Sequence, residues 1–456
     1  MITPPSLWST VNSFHNKAPV FLVEIETYGR SFTNVEIGFG GSVPWLVSLE
    51  DLALTISDLD GGADLAEFTF VVQDRGRVIV ASMPTFTFEG KAVTLKTGFQ
   101  GIAVTDYVTL FTGRIDQVNS VNGGLEWQFV CSDNSILLEP AVYLTGDDGR
   151  PTDGDHRKTV IGHPLDILEA ILVDHLEIDI GLINLTRLHA YRDGIFDGFE
   201  FSFSLDTPPN AKDFIEAELM KPLGGYMWVN NLGQFDFSFF YPESDASVRT
   251  LTEAVTFEIP DVLQSDLVNS VRFRFDHVED TEGNTSSADF LAESINNFAL
   301  SIDRYGLTGE QIIESKGMRS GLAGFLLAKI ISRLIVFRYG LKNLRIETMP
   351  FTWTECILEP GDVVTLENSS IPDREAGAIG ISKKLVVLDR NWRFMDGVVE
   401  YTLIDGSYLD KFKAYLITTD GQADYTASDS AHQLSDMFLC NDSNQYSTGA
   451  PGHTLA

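Results

Sequence analysis

From residue 19 the chain alternates apolar and polar side chains in short runs, broken by a turn signal about every ten residues. PVFLVEIET (19–27), AEFTFVVQD (66–74) and LEDLALTISDLDGG (49–62) all carry this pattern. A period of two sends successive side chains to opposite faces, so these runs predict half-buried strands. FTFEGKAVTLKTGF (86–99) reads as two strands about a Glu-Gly turn, and Asn122-Gly123-Gly124 marks a hairpin within 107–133. No helical period survives in this region. The pattern predicts an all-β barrel or sandwich over residues 1–145.

The period then changes. TGDDGRPTDGDHRK (145–158) reads as a polar linker. HPLDILEAILVDHLEI (163–178) places Leu165, Leu168, Ile171 and Leu172 on one helical face, with Pro164 at the helix start and His163 just before it. A second helix opens on Asn210 and stops at Pro222 and Gly224, and a hairpin turns at Asn230, Asn231 and Gly233. Residues 146–262 therefore read as an α+β region. LVNSVRFRFDHV (267–278) follows as a strand with Arg272 and Arg274 outward, and then a helix spans 320–340. The strands LRIETMPF (344–351), DVVTL (362–366), GISKKLVVLDRNWRF (380–394) and GVVEYTLIDG (397–406) complete a second small β-barrel over 263–410. In LEPGDVVTL (358–366), Pro360 and Gly361 set a turn, and Asp362 reads as a turn residue bonding its own backbone two residues on. The fold class expected is mainly β with an α+β insertion. Residues 411–456 form a polar C-terminal extension.

Charge excludes several functions. There are 32 Lys and Arg against 65 Asp and Glu, a net charge of −33. Such a surface repels phosphate, so neither sequence-specific nucleic-acid binding nor attachment to anionic membranes is expected. The most apolar helical run, 324–337, is broken by Lys329 and Arg333, so direct membrane insertion is not expected either. The start, MITPPSLWSTVNSF, lacks a basic region before an apolar core, and no secretory leader is expected. Cys131, Cys356 and Cys440 lie too far apart for a disulfide framework or a zinc site, which points to a reducing cytoplasm.

Chemistry-bearing clusters are weak. Asp58, Asp60, Asp64 and Glu67 surround a Gly-Gly bend and are the best local candidates for a hard cation, but an acidic β-turn is the simpler reading of them. Asp147, Asp148, Asp153, Asp155 and His156 fall in the linker, where a solvated charge run is the simpler reading. No nucleophile elbow, phosphate loop or dinucleotide fingerprint occurs, so neither an enzyme nor a cofactor is expected. Two alternatives remain. A carbohydrate-binding or carbohydrate-active β-protein would use carboxylate pairs and exposed Trp228, Trp353 and Trp392, which as core residues would instead be buried. A calcium-dependent adhesin would be built around Asp58 to Glu67.

In their order along the chain these elements resemble the hub proteins of bacteriophage tail tips and baseplates. LFTGRIDQV (110–118), HPLDILEAIL (163–172) and FIEAELMKPLGGYMWVNNLGQFDF (214–237) carry the likeness. LVNSVRFRF (267–275), SIDRYG (301–306), AGFLLAKIISRLIVFRYG (323–340), LEPGDVVTL and NWRFMDGVVEYTLID (391–405) continue it. The resemblance implies two related β-barrels and a homotrimeric ring that joins a hexameric tail tube or distal tail protein to a central spike or fibre. It implies a structural virion protein without an active site, at the phage tail tip, assembled in the host cytoplasm. The ring would open for the tape-measure protein and for DNA in transit. Some relatives hold an iron–sulfur cluster through four cysteines, and three distant ones here argue against that. The extension 411–456 lies outside the likeness; Phe412, Tyr415, Leu416, Met437, Phe438 and Leu439 are its candidate partner-binding anchors.

Overall fold

The computed structural model describes residues 19–57, 59–64, 66–141, 158–205, 209–240, 246–256, 262–264, 267–277, 290–306, 308–340, 344–373 and 377–406. The chain opens with β1 (Pro19–Ile25), β2 (Ser31–Thr33), β3 (Ser42–Val43) and β4 (Leu46–Leu49). β5 (Leu52–Leu54), β6 (Ile56–Ser57), β7 (Gly62–Ala63) and β8 (Glu67–Gln73) follow. After the short helix α1 (Val78–Ser82) come β9 (Ala92–Phe99), β10 (Val108–Val121) and β11 (Glu126–Ser132). Eight of these strands form one sheet in the order β3-β2-β1-β9-β10-β11-β8-β4. The β10–β11 turn is made by Asn122 and Gly123 with positive φ of 48° and 68°, as the Asn-Gly signal predicts. Residues 86–90 are not the strand their alternation predicts. Phe86 and Phe88 instead close an aromatic group with Tyr28 and Phe129, with Phe88–Phe129 centroids 5.3 Å apart, and the strand starts only at Ala92.

The middle of the chain contributes β12 (Lys158–Gly162), α2 (Pro164–Ala170), α3 (Leu185–Asp193) and β13 (Phe201–Leu205). It ends in α4 (Ala211–Phe214) and the hairpin β14 (Gly225–Val229) and β15 (Phe235–Phe239). The expected apolar face is real: Leu165, Leu168, Ile171 and Leu172 are all fully buried. Helix α2 starts where Pro164 allows, because His163 Nδ1 accepts the Leu165 amide at 3.1 Å and satisfies one of the orphan donors. Asn210 caps α4 by accepting from Asp213 N at 3.2 Å, and Gly224 ends the segment at φ 62°. Both helices widen in their second halves, over Ile171–His175 and Ile215–Met220.

The last part holds β16 (Arg249–Thr252), β17 (Val262–Gln264), β18 (Ser270–His277), β19 (Phe290–Asn297) and α5 (Ala299–Tyr305). β20 (Glu310–Glu314) and the long helix α6 (Leu322–Tyr339) come next. β21 (Leu344–Thr352), β22 (Val363–Asp373), β23 (Ala378–Arg393) and β24 (Val398–Asp405) close the described chain. A seven-stranded sheet runs β16-β22-β23-β24-β21-β17, and β5 from the first part pairs with β23. β18 forms a separate sheet, β19-β18-β20, whose buried face of Val271, Phe273 and Phe275 packs on α6. As expected, Arg272 and Arg274 point outward, where they pair with Glu293, Glu310 and Glu314.

The mainly β class with an α+β piece is as expected, but closure of each half into a barrel is not seen. Among the described residues no ladder joins the ends of either large sheet. The reason lies in the packing, since the two sheets bury their inner faces against each other in one core. Phe21 meets Trp353 edge-on at 5.4 Å and Phe394 at 5.3 Å, and Trp353 Nε1 donates to Thr97 Oγ1 at 3.0 Å across the interface. β5 stitches the halves together in register, Leu52 opposite Trp392 and Leu54 opposite Arg390.

Candidate functional site

The three parts of the chain meet at the tip of the β14–β15 hairpin. Asn230 shapes that tip: its side-chain oxygen accepts the amides of Leu232 and Gln234 at 3.0 Å each. Asn231 is then held from two sides. Its Nδ2 donates to Thr109 O at 2.8 Å on β10, and its carbonyl accepts from Thr112 Oγ1 at 3.1 Å. Asn134, beyond β11, donates to Gly233 O at 2.7 Å. On the other side Asn231 N donates to Glu359 Oε1 at 3.3 Å, in the Pro-Gly-Asp turn that leads into β22.

That turn has Pro360 and then Gly361 at φ 85°, closed by Asp362 N donating to Glu359 O at 3.1 Å, the type II arrangement. Asp362 is a turn residue, as its setting predicts, but its carboxylate reaches backward: Oδ2 accepts from Glu359 N at 2.9 Å. Glu359 is buried 3.9 Å from the guanidinium of Arg390, which lies 3.7 Å from the centre of the Trp392 ring. Burial pushes the Glu359 carboxyl above its usual value and pulls Arg390 below its own. Tyr401 donates its hydroxyl to Glu355 O at 2.6 Å beside this pair. The arrangement is a joint: its carboxylates and amides face protein partners.

Among the described residues, the sequence-predicted candidates lie elsewhere and are not gathered. Asp58 is outside the described residues. Asp60 pairs with Lys221 Nζ at 2.9 Å, and Gly62 lies so close to Glu216 that a Cβ there would come within 2.8 Å of its carboxyl carbon. The acidic bend thus docks the β6–β7 turn onto the segment after α4. Glu67 is exposed at the start of β8, and among the described residues no three His, Cys, Asp or Glu side chains are grouped to hold a metal. The linker acids, His156 and the six C-terminal anchors also fall outside the described residues. Trp228, Trp353 and Trp392 are buried, at 3%, 4% and 0% exposure, so none offers a platform for a sugar ring. His163 donates Nε2 to Phe196 O at 2.8 Å, which leaves Nδ1 free to cap α2. No helix of the described chain is long and apolar enough to cross a membrane. Cys131 and Cys356 are buried thiols that burial holds above their usual pKa.

Sequence reasoning missed Asn231, Asn134 and Arg390 as joint residues. The doubled asparagine at the hairpin tip was the one visible sign, since one suffices for the turn.

No protein-family model matches the chain, and no curated protein matches it in sequence. Solved structures similar to it include tail proteins, two of them from prophages. The tail protein from Neisseria meningitidis is 13% identical over 86% of this chain and 97% of its own, with a TM-score of 0.46. The 43 kDa tail protein of prophage MuSo2 from Shewanella oneidensis is 10% identical over 86% of this chain and all of its own, 100%, with a TM-score of 0.49. The prophage tail protein gp18 from Listeria monocytogenes is 10% identical over 86% and 98%, with a TM-score of 0.45.

Proposed function

We propose that the chain is a structural hub of a bacteriophage tail tip, three copies of which close a ring between the hexameric tail tube and a central spike or fibre. The observation that carries this reading is the order of elements. A β unit (1–145), an inserted α+β unit (146–262) and a second β unit (263–410) follow one another as the hub resemblance implies, and one joint ties them at Asn231 and Glu359. Two sheets sharing one core can take load as a single body, which a ring under a contractile or flexible tail requires. The net charge of −33 suits a lumen through which the tape-measure protein and DNA pass without sticking. Met437, Phe438 and Leu439 are proposed to bind a neighbouring tail protein. No catalytic role is assigned, and burial of the three tryptophans favours the hub over a carbohydrate-binding protein.

Light scattering behind a sizing column tests the ring. The reading expects a mass three times the 50.5 kDa chain, and a monomer at every concentration, with or without purified tail tube, would contradict it.

A further inference from the structure

Lys383 occupies a core-facing position of β23. Ile381 and Leu385, two residues away on the same face of the strand, are buried, and so is Leu366 of β22, directly opposite. The alternate position, Ser382, is exposed. Lys96, Lys212, Lys221 and Lys316 keep 24–44% of their side chains exposed in their own ion pairs, whereas Lys383 keeps 14%. Two carboxylates meet its amine. Near the end of β22 the ladder shifts register between Asn368 and Pro372, and beyond that break Asp373 Oδ1 lies 3.2 Å from Lys383 Nζ, itself 14% exposed. Asp405, at the end of β24, lies opposite Leu385 and so diagonal to Lys383; its Oδ2 is 3.9 Å from Nζ at 1% exposure.

An amine, a carboxyl in contact with it and a buried base beside both are the groups that amide formation needs. A lysine amine attacks a carbonyl carbon only with its lone pair free, and an adjacent base that takes its proton frees it. In bulk water the condensation is opposed by the solvent. Groups held in contact and oriented react instead at an effective molarity on the order of 10⁵ M or more. The apolar neighbours Ile381, Leu385 and Leu366 also keep solvent from the product.

We propose that Lys383 and Asp373 condense, once the chain has folded, into an intramolecular isopeptide bond, with Asp405 as the proton carrier. Asp405 takes one proton from the Lys383 ammonium and passes it to the Asp373 carboxylate. The freed Nζ lone pair then attacks Asp373 Cγ, forming the C–N bond. A second proton moves from nitrogen through Asp405 to the hydroxyl, the C–O bond breaks, and water leaves. Ammonium and carboxylate thus become one amide and one water, with no oxidant or cofactor. The bond would tie the far end of the β22–β23 hairpin back to the body of its sheet and restrict the unfolded chain as a disulfide does. The inference stands apart from the hub reading and survives its failure.

Mass spectrometry of the full-length protein, denatured after purification, is the test. The intact mass is expected to fall about 18 Da, one water, below the sequence mass. Trypsin, which cuts after Arg374, is expected to release the peptide ending there joined to the one that carries Lys383. Lys383→Arg, which keeps the charge but not the amine, and Asp405→Asn, which removes the base, are each expected to restore the full mass. The full sequence mass in the unaltered protein would mean an ion pair only and would overturn the proposal. So would a water loss that Lys383→Arg retains, or one that maps to a single Asp-Gly pair as a succinimide. A joined peptide that persists in Asp405→Asn would overturn the role given to Asp405. The joined peptide is read from the unaltered protein, so the test stands even where a variant fails to fold.

Discussion

Replacing Gly361 by alanine strikes the turn on which the joint rests. Gly361 sits at φ 85°, a left-handed conformation that disfavours any Cβ by about 1–2 kcal/mol. The new methyl would also stand 2.8 Å from Ser238 Oγ and 3.1 Å from Ser238 Cβ, inside the usual contact distance. Ser238 is buried on β15, so it cannot swing into solvent, and relieving such overpacking costs about 1–3 kcal/mol. Together the two effects predict a loss of about 3 kcal/mol. Gly90→Ala is the control, because Gly90 has φ 79° and nothing within 4 Å of the point its new methyl would occupy, leaving only the backbone effect of about 1 kcal/mol. Urea unfolding followed by fluorescence gives both losses from the midpoint shifts. If Gly361→Ala loses no more than Gly90→Ala, the close packing of the turn against the hairpin is refuted.

Further outcomes follow from other sites. Arg249 forks onto the buried carboxylate of Glu355 through two bonds of 2.8 Å, so Arg249→Met should lower stability by about 3 kcal/mol in the same assay. Thr348 holds φ 47° on an exposed bulge of β21, and Thr348→Gly should raise stability by about 1 kcal/mol. Cys131 and Cys356 have thiol pKa values raised by burial, so the folded state keeps protons that the unfolded chain releases above about pH 9. Stability should therefore fall as pH rises beyond that point, by about 1.4 kcal/mol per unit for each thiol, and a Cys131→Ala, Cys356→Ala variant should show a shallower slope. Native protein should leave both thiols unreactive toward an aromatic disulfide reagent at about pH 8, with labelling only on unfolding.

Local signals are readable where one short stretch decides the conformation. Asn122-Gly123-Gly124, the capping Asn210, the terminal Gly224 and the buried stripe from Leu165 to Leu172 all follow from turn chemistry and period. Helix α3 is not legible, because only Leu188 and Tyr191 are buried along it, too few to set a period. Phe86 and Phe88 alternate like a strand yet serve an aromatic cluster, so period alone misassigns them. The pairing of Leu52–Leu54 with Arg390–Trp392 joins segments more than three hundred residues apart, and nothing local marks either partner. For the same reason the pattern predicts two separate barrels where the sheets share one core: alternation shows which face is buried, not what it is buried against. The joint is hidden in the same way, since Asn231 reads as a turn residue until β10 and Glu359 are placed beside it.

End-on electron-microscopy images of the purified protein test the central claim most directly. The account predicts a closed three-fold ring in which each copy contributes two neighbouring β lobes around an open lumen. Single, unringed particles at every concentration, alone and with tail tube present, would contradict it.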